Sequence, residues 1–323
     1  MIEVKDLVKQ YGGFRAVDHL SFTVEKGQIY GFLGPNGAGK STTMNMITGY
    51  ISATEGTVLI GGHDIFLEPE EAKRHIGYLP EIPPVYPDMS PQEYLVFAGE
   101  LKGVQRKKLT GEVERVMGLT GITHMRHRLI KNLSKGYRQR VGFACALLGD
   151  PEVVILDEPT AGLDPRQIID IRELIKSLGR KHTVILSSHI LSEVSAVCDR
   201  ILIISKGKLV ASDTPEGLGK RMQPTNVYEM QVRGNPEMLR ELLKGVKGLK
   251  SIAVSCHASG FASVRLETER NTDPRTQVFR LLAQADCPIM ELTSSAMSLE
   301  DVFLELTAQD RQTEGGKDSG SSL

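Results

Sequence analysis

The run Gly34-Pro-Asn-Gly-Ala-Gly-Lys-Ser-Thr42 limits what this chain can fold into more than any other feature of the sequence. It matches the pattern GxxxxGK[ST], in which backbone N–H groups converge on phosphate oxygens. Residues 28–33 before it suit a buried strand, and residues 41–48 after it suit a helix that stops at Gly49. A strand, a glycine-rich loop and a helix in this order predict an α/β domain that binds a nucleoside triphosphate.

The loop brings its own phosphate-binding chemistry. Its glycines let the backbone curl, and the following helix adds unpaired N–H groups and the positive end of its dipole. Lys40 would bring a mobile charge to the β- and γ-phosphates, and the Ser41 hydroxyl can ligate Mg²⁺. The candidate nucleotide-binding residues are Gly34, Pro35, Asn36, Gly37, Ala38, Gly39, Lys40, Ser41 and Thr42. The alternative is a glycine-rich turn before an ordinary helix.

The regions around the loop show the periodicity of an α/β fold. Residues 2–8 alternate between apolar and polar side chains, which predicts a half-buried strand at the edge of a sheet. Mainly apolar, strand-like runs at 153–156, 183–186 and 200–204 are separated by helical stretches. This alternation predicts a mainly parallel sheet with helices on both faces.

A proline-rich stretch interrupts that alternation. Residues 80–91 contain five prolines and must form an irregular connection. From residue 92 to about 148, apolar residues recur at helical spacing, as at Tyr94, Leu95 and Phe97. We therefore predict a mainly helical insertion, at about residues 90–148, within the α/β domain.

The chain beyond residue 220 is predicted to form a second unit. Residues 215–225 are polar and turn-rich, which suits a linker after a first domain at 1–220. Residues 221–308 follow the order strand, helix, strand, strand, helix, strand, which predicts a small ferredoxin-like α+β domain closed by a helix at 299–306. Residues 309–323 are polar and rich in Gly and Ser, so we expect a disordered tail.

Composition excludes several classes of protein. The net charge of −1 gives no global basic field for binding nucleic acid. No apolar run approaches the ~18 residues that span a bilayer, and the first residues lack a signal-peptide pattern. The four cysteines are widely spaced and form no CxxC pair, so reduced thiols in a cytosolic protein are expected.

An acidic pair at the end of a buried strand forms a second candidate site. Val153–Leu156 is wholly apolar, and Asp157 and Glu158 follow it directly. A carboxylate in that position is costly unless a positive group awaits it, and Mg²⁺ on a bound nucleotide would supply the charge. Asp157 would hold the ion, and Glu158 would orient or deprotonate the attacking water. A solvated strand-end turn is the alternative.

A third candidate is the start of the helix after Leu133. Ser134 stands where an N-cap belongs, and Gly136 permits close approach of a backbone or ligand. Such a helix start can bind an anion. A plain helix cap explains the same residues.

Taken together, these motifs resemble a known family. The phosphate loop, Leu133–Gly136, Val153–Glu158, Ala161–Asp164 and Ser187–His189 appear in the order seen in ATP-binding cassette (ABC) ATPases. The resemblance covers about residues 1–220. It implies a P-loop NTPase cassette with a mainly parallel sheet, an N-terminal antiparallel β part and the helical insertion.

The resemblance implies a dimer that holds two ATPs with Mg²⁺. Ser134 and Gly136 of one subunit would meet the γ-phosphate held by the phosphate loop of the other, and Asp164 would join the two sites. His189 would contact the γ-phosphate and the attacking water, although it also fits a capping histidine at a turn. Tyr11 would stack on adenine, although it also fits a core aromatic. Glu158, His189 and Lys40 are the candidate catalytic residues.

The chain departs from the family pattern at two places. Glu81 stands where the family usually has Gln, and its carboxylate can still ligate Mg²⁺, so Ser41, Glu81 and Asp157 are the candidate metal ligands. Lys135 and Tyr137 replace the usual Gly and Gln of the helix start, while the serine and glycine that define the anion site remain.

The function implied is that of an ATP-hydrolysing motor subunit of a membrane transporter. Residues 225–308 are similar to the C-terminal extension of exporter-type cassettes in bacteria and archaea, so we expect an exporter. Its partners would be a second cassette and a separate permease, which would hold it at the cytoplasmic face of the cell membrane. The aromatic residues of 86–97 would line a groove for the permease or pack in the core of the insertion. A non-transport ABC ATPase acting on ribosomes or DNA is the alternative.

Overall fold

The computed structural model describes residues 1–221, 225–257, 261–269 and 272–295. These form two compact units, one of Met1–Pro215 and one beginning at Glu216. The predicted closing helix at 299–306 and disordered tail at 309–323 lie outside the described residues.

The first unit is an α/β domain with two sheets. Its strands are β1 (Ile2–Tyr11), β2 (Phe14–Val24), β3 (Ile29–Leu33), β4 (Glu55–Ile60), β5 (His63–Asp64), β6 (Ile76–Leu79), β7 (Val153–Asp157), β8 (Thr183–Ser188), β9 (Arg200–Ser205) and β10 (Lys208–Asp213). Its helices are α1 (Lys40–Ile47), α2 (Pro69–Arg74), α3 (Pro91–Leu101), α4 (Arg106–Leu119), α5 (Lys135–Ala146), α6 (Pro165–Gly179) and α7 (Leu191–Ser195). Among the helices of the described residues, none is long and apolar enough to span a membrane.

The antiparallel sheet has the strand order β2-β1-β4-β5. Ile2 of β1 pairs with Val24 on one side and with Ile60 on the other. The prediction that residues 2–8 form an edge strand is therefore wrong. Alternation of side chains reports that one face is buried, and it says nothing about how many neighbouring strands are hydrogen-bonded.

The larger sheet positions the site. Its order is β10-β9-β3-β8-β7-β6, and all its pairings are parallel except that of β10 with β9. Every residue of β3, β7 and β8 is buried. Leu33 pairs with Ser188, and Asp157 pairs with Ser187. The carboxyl ends of these parallel strands therefore meet at one edge, where ligands of open α/β sheets bind.

The predicted helical insertion is confirmed. α3, α4 and α5 pack on one another between β6 and β7. A capping box begins α3, in which the Ser90 hydroxyl accepts from the Glu93 N–H and the Glu93 carboxylate accepts from the Ser90 N–H. The Ser90 N–H and the Ser90 hydroxyl both donate to the Glu93 carboxylate, and these two hydrogen bonds hold the pKa of Glu93 below its usual value.

Lys102, just after α3, binds the carbonyl groups at the C-terminal end of α5. Its ammonium donates to the carbonyls of Cys145 (2.9 Å), Ala146 (3.2 Å) and Leu148 (3.4 Å) at the end of α5. We expect Lys102→Met to lower the free energy of unfolding by about 1–3 kcal/mol, because the carbonyls lose a charged donor. Chemical denaturation measures this change. Lys107→Met, at an exposed position of α4, is the control, and an equal loss in both variants would contradict the prediction.

The second unit has the ferredoxin-like topology that was predicted. Its elements are β11 (Thr225–Arg233), α9 (Pro236–Leu243), β12 (Leu249–His257), β13 (Phe261–Glu269), α10 (Arg275–Gln284) and β14 (Ile289–Ser295), and α8 (Pro215–Arg221) precedes them. The sheet is antiparallel with the order β12-β13-β11-β14. Apolar residues of the sheet and of the two helices, such as Val232, Val264, Leu239 and Leu282, form its core.

Candidate functional site

The phosphate loop joins β3 to α1 at the edge of the larger sheet. Gly39 precedes α1 with φ 100°, and a Cβ there would lie 2.5 Å from the carbonyl oxygen of Ala16. Only glycine fits that position. Gly37 has φ 81°, and no atom lies within 4 Å of where its Cβ would stand. The loop is thus packed closely against Ala16 at Gly39 and has open space beside Gly37.

Lys40 begins α1 and is buried, with 6% of its surface exposed. Its ammonium donates to the carbonyl oxygens of Gly34 (2.8 Å) and Pro35 (3.3 Å), and it lies 3.4 Å from Oε1 of Glu158. The site therefore holds one buried positive charge between the loop and the acidic end of β7.

Asp157 is the last residue of β7 and is 3% exposed. Its Oδ1 accepts hydrogen bonds from the hydroxyls of Ser41 (3.3 Å) and Ser187 (2.5 Å). The structure thus brings together a carboxylate and the hydroxyl of the phosphate loop, which are hard oxygen donors of the kind that Mg²⁺ prefers.

Glu158 follows with a left-handed backbone, φ 47°. Its N–H donates to the Ser187 hydroxyl (2.9 Å), and its Oε2 lies 2.9 Å from Nδ1 of His189. A non-glycine residue in this region costs about 1–3 kcal/mol and persists only where its surroundings determine it. Glu158 is 8% exposed, so a buried carboxyl group on a strained backbone lies between Lys40 and His189.

A cleft of about 420 Å³ opens above these residues. Most of the predicted site residues line it, together with Phe14, Ala16 and Ala161: Tyr11, Asn36, Gly37, Gly39, Lys40, Ser41, Thr42, Glu81, Glu158 and His189. Glu81 lies on the segment after β6, and none of the hydrogen bonds of the described residues joins it to Ser41 or Asp157.

Two aromatic rings stand at the rim of the cleft. Tyr11 and Phe14 face each other across the turn between β1 and β2 and are 50% and 64% exposed. Tyr11 is therefore not a core aromatic. The Lys9 ammonium lies 5.2 Å from the centre of the Tyr11 ring.

Tyr78 supports α1 from the sheet. Its hydroxyl donates to Oδ1 of Asn45 at 3.0 Å. Burial, with the charge of Asp157 nearby, raises the pKa of Tyr78, so this hydroxyl keeps its proton. The hydrogen bond ties the helix that begins with Lys40 to β6.

Ser134, Gly136 and Asp164 form a separate group. The Ser134 hydroxyl accepts from the N–H of Tyr137 (3.4 Å), and Asp164 accepts from the N–H of Gln167 (3.0 Å), so the two cap α5 and α6. A Cβ on Gly136 would lie 2.4 Å from Oε1 of Gln167, which places the two helix starts side by side. None of the three predicted residues lines the cleft described above.

Lys135 and Tyr137, the two residues of this helix start that depart from the family pattern, both contact neighbouring residues. A Cβ on Gly162, whose φ is 68°, would lie 2.2 Å from the Lys135 ammonium, so this side chain covers the turn before Asp164. The Tyr137 hydroxyl lies 3.1 Å from Nε2 of His124. α5 has no acidic residue in its first turn, and its start is therefore electropositive.

Four residues at or next to the site had no role assigned from the sequence. Ser187 forms hydrogen bonds with both Asp157 and Glu158, Phe14 lines the cleft, and Thr160 donates a hydrogen bond to Glu193. Two serines at the end of the apolar run 183–186 were a signal for Ser187.

Comparisons with known proteins identify the family of the chain. The family model described as ABC transporter matches residues 17–161. The chain is 38% identical to an uncharacterized ABC transporter ATP-binding protein, YhcH, of Bacillus subtilis over 97% of both chains. It is 34% identical to the bacitracin transport ATP-binding protein BcrA of Bacillus licheniformis, over 95% of this chain and 97% of that protein.

A solved structure shares the fold. It is a dimeric ATP-binding cassette in a post-hydrolysis state with ADP and Pi, which aligns with a TM-score of 0.61 over 66% of this chain and 98% of that chain at 23% identity. At this identity it shows the fold alone. The relatives above, with the phosphate loop beside Asp157 and Glu158, lead to one conclusion. The chain belongs to the ABC transporter family of ATP-binding proteins and is an ATPase.

Proposed function

We propose that this protein is the ATP-hydrolysing motor subunit of an ABC membrane transporter of the exporter type. One observation carries the proposal. The cleft contains the phosphate loop, Glu158 and His189, while Ser134 and Gly136 lie outside it on a second helix start. A site divided in this way is completed by another cassette.

The phosphate loop is proposed to bind the ATP phosphates. Gly34–Gly39 would supply backbone N–H groups, Lys40 a positive charge and Thr42 a further contact at the start of α1. The open space above Gly37 fits a bound group. Tyr11 would stack on adenine, and the exposure of its ring together with Phe14 supports a π-face contact.

Mg²⁺ is proposed to be held by Ser41 and Asp157, with Glu81 as a further ligand. The fit rests on the donor set, because a hydroxyl and a buried carboxylate already lie 3.3 Å apart. When bound, the ion would neutralise phosphate charge and stabilise the transition state of phosphoryl transfer. Ser187, through its 2.5 Å hydrogen bond, would hold the Asp157 carboxylate in orientation.

Glu158 is proposed to orient and deprotonate the attacking water. Its Oε1 lies near Lys40 and its Oε2 near His189, so the protein holds both carboxyl oxygens. His189, with a half-exposed side chain, would contact the γ-phosphate and the water. The left-handed backbone of Glu158 aims this side chain into the cleft and fixes it there.

A second subunit, of the same or a related chain, is proposed to complete each site. Ser134 and Gly136 would bring the electropositive start of α5 to the γ-phosphate. Asp164, which caps the neighbouring helix, would connect the two nucleotide sites. The side-by-side packing of α5 and α6 supports this arrangement, since a shift of one helix start would move the other.

The permease is proposed to contact the segment after Glu81. Tyr94 is buried, and the Tyr86 ring packs on Tyr94 and Phe97 at 6.1 Å and 5.6 Å, so most of the aromatic run belongs to the core of the insertion. Ile82 and Tyr86 remain 82% and 52% exposed. This surface would transmit the state of the ATP site to a membrane protein and hold the cassette at the cytoplasmic face of the membrane.

Co-purification tests the transport function. The tagged full chain, extracted from membranes of its own cells in mild detergent, is expected to bring down a multi-pass membrane protein. Ile82→Asp combined with Tyr86→Asp is expected to lose that protein and keep the ATPase activity of the purified cassette. Leu67→Asp, which is also 82% exposed, is the control and should retain the partner. Recovery of ribosomes without a membrane protein would contradict the proposal.

A further inference from the structure

Glu193 is a buried acid that the proposed mechanism does not use. It lies in α7, four residues after His189, and is 7% exposed. Its Oε2 accepts hydrogen bonds from the Thr160 hydroxyl at 2.5 Å and from the Ser188 hydroxyl at 3.5 Å. One carboxyl oxygen therefore contacts both the turn after Glu158 and the residue before His189.

Stability alone does not explain an acid in this place. No lysine, arginine or histidine of the described residues forms an ion pair with Glu193. Burying a carboxyl group without a basic partner is costly, and an apolar residue of similar volume avoids that cost. The apolar neighbours Leu191 and Val194 are buried on the same helix. Leucine at this position would extend their packing.

The contact of Glu193 with Thr160 restrains the end of the strained turn that begins at Glu158. Ser187 holds the N–H of Glu158 at the start of the turn, at 2.9 Å. Thr160, two residues after Glu158, is held at the end of the turn by Glu193. The Ser188 hydroxyl, which donates to Glu193, also accepts from the N–H of Ile190 and so spans His189.

We propose that Glu193 is a positioning residue that keeps Glu158 and His189 at their working distance through Thr160 and Ser188. The inference rests on the proposed roles of Glu158 and His189. The turn at Glu158 is held by Ser187 and by Glu193. Without Glu193 it would lose one of these two contacts, and the Glu158 carboxyl group would move away from His189. The phosphate loop stands on β3 and α1 and keeps its place.

Glu193→Leu tests this role by separating binding from chemistry. We expect kcat for ATP hydrolysis to fall about 10- to 100-fold, because small misplacements of a reacting group have effects of this size. The dissociation constant for ATP, measured by calorimetry without Mg²⁺, should stay within about threefold of wild type. A parallel loss of ATP affinity and kcat would show a structural role only and would overturn the proposal.

Thr160 provides a milder variant and a conservative rescue. Thr160→Val keeps the shape and removes the hydroxyl, so its kcat should fall, but by less than in Glu193→Leu, because the contact of Ser188 with Glu193 remains. Thr160→Ser keeps the hydroxyl and should retain wild-type kcat. The double variant Thr160→Val with Glu193→Leu should lose no more kcat than Glu193→Leu alone, because both changes break the same contact between Thr160 and Glu193. Equal kcat in Thr160→Ser and Thr160→Val would overturn the proposal.

Two further variants complete the experiment. Ser195→Ala removes a buried hydroxyl on the same helix that has no hydrogen-bond partner among the described residues, and it should leave kcat unchanged. Glu158→Gln, in the same assay, tests the proposed mechanism separately. If Glu158→Gln stays active, the proposed role of Glu158 fails. If it is inactive while folded Glu193→Leu keeps wild-type kcat, only the role of Glu193 fails.

Discussion

Glu158→Gln is expected to lower kcat for ATP hydrolysis at least about 100-fold, in the range seen when a general base is removed. The amide has nearly the same size as the carboxyl group, and its oxygen can occupy the position of Oε1, 3.4 Å from the Lys40 ammonium, so the buried site should keep its shape. It cannot accept a proton from water. ATP should therefore bind and remain unhydrolysed.

The same variant should accumulate as a dimer. In the proposed arrangement, ATP joins two cassettes and hydrolysis lets them separate. A cassette that binds ATP and fails to hydrolyse it should elute from size-exclusion chromatography as a dimer with ATP and as a monomer without it. Light scattering on the eluted peaks gives the mass directly.

The matched control lies at the other end of the same strand. Glu152 precedes β7, is exposed, forms an ion pair with Lys26 and lies 3.4 Å from Nδ1 of His75. Glu152→Gln makes the same chemical change on the same strand, away from the cleft, and should leave kcat unchanged. Hydrolysis near the wild-type rate in Glu158→Gln would show that the base is another group.

Ser134→Arg is expected to abolish hydrolysis while leaving the cleft of its own subunit intact. Arginine at this N-cap removes the hydroxyl that accepts from the Tyr137 N–H and adds a bulky side chain at the helix start. Since Ser134 does not line the cleft of its own chain, ATP binding to the monomer should be unchanged. Loss of turnover with retained binding indicates that the defect acts on the partner.

Mixing with a second inactive variant identifies the subunit that is affected. Lys40→Ala damages the phosphate loop and leaves the start of α5 intact. In a head-to-tail dimer of Ser134→Arg with Lys40→Ala, one site combines two damaged parts and the other combines two intact parts. Random mixing should restore about a quarter of wild-type activity, because half of the dimers are mixed and each has one whole site.

The control for complementation carries both changes in one chain. Mixed with wild-type subunits, Ser134→Arg/Lys40→Ala leaves no whole site in the mixed dimer, so it should only dilute the activity. Full activity of Ser134→Arg alone would refute the shared site. Failure of the two single variants to complement, with a dimer present, would place Ser134 in the site of its own chain.

The sequence alone was enough to predict the elements around the phosphate loop. The loop, its buried strand and its helix are consecutive in the chain, so local periodicity and glycine placement determine them. The same holds for the helical insertion and for the six-element order of the second unit. These features depend on neighbouring residues, which a single sequence displays directly.

Residue spacing could not show which distant groups meet. Ser41 and Asp157 are far apart in the chain, and their contact follows from the parallel pairing of β3, β8 and β7. Strand order also made β1 an internal strand, which the alternation at 2–8 did not reveal. Pairing between strands depends on hydrogen bonds across the sheet, and these leave no trace in periodicity.

The phosphate loop and its neighbours illustrate what the sequence predicts and what only the tertiary structure shows. The run Gly34–Thr42 predicts phosphate binding and its place along the chain, because backbone geometry and one lysine suffice for that chemistry. Only the tertiary structure decided that Glu158 takes a strained backbone beside His189, and that a buried Glu193 accepts a hydrogen bond from Thr160. Burial and strain arise from packing between elements that are remote in sequence.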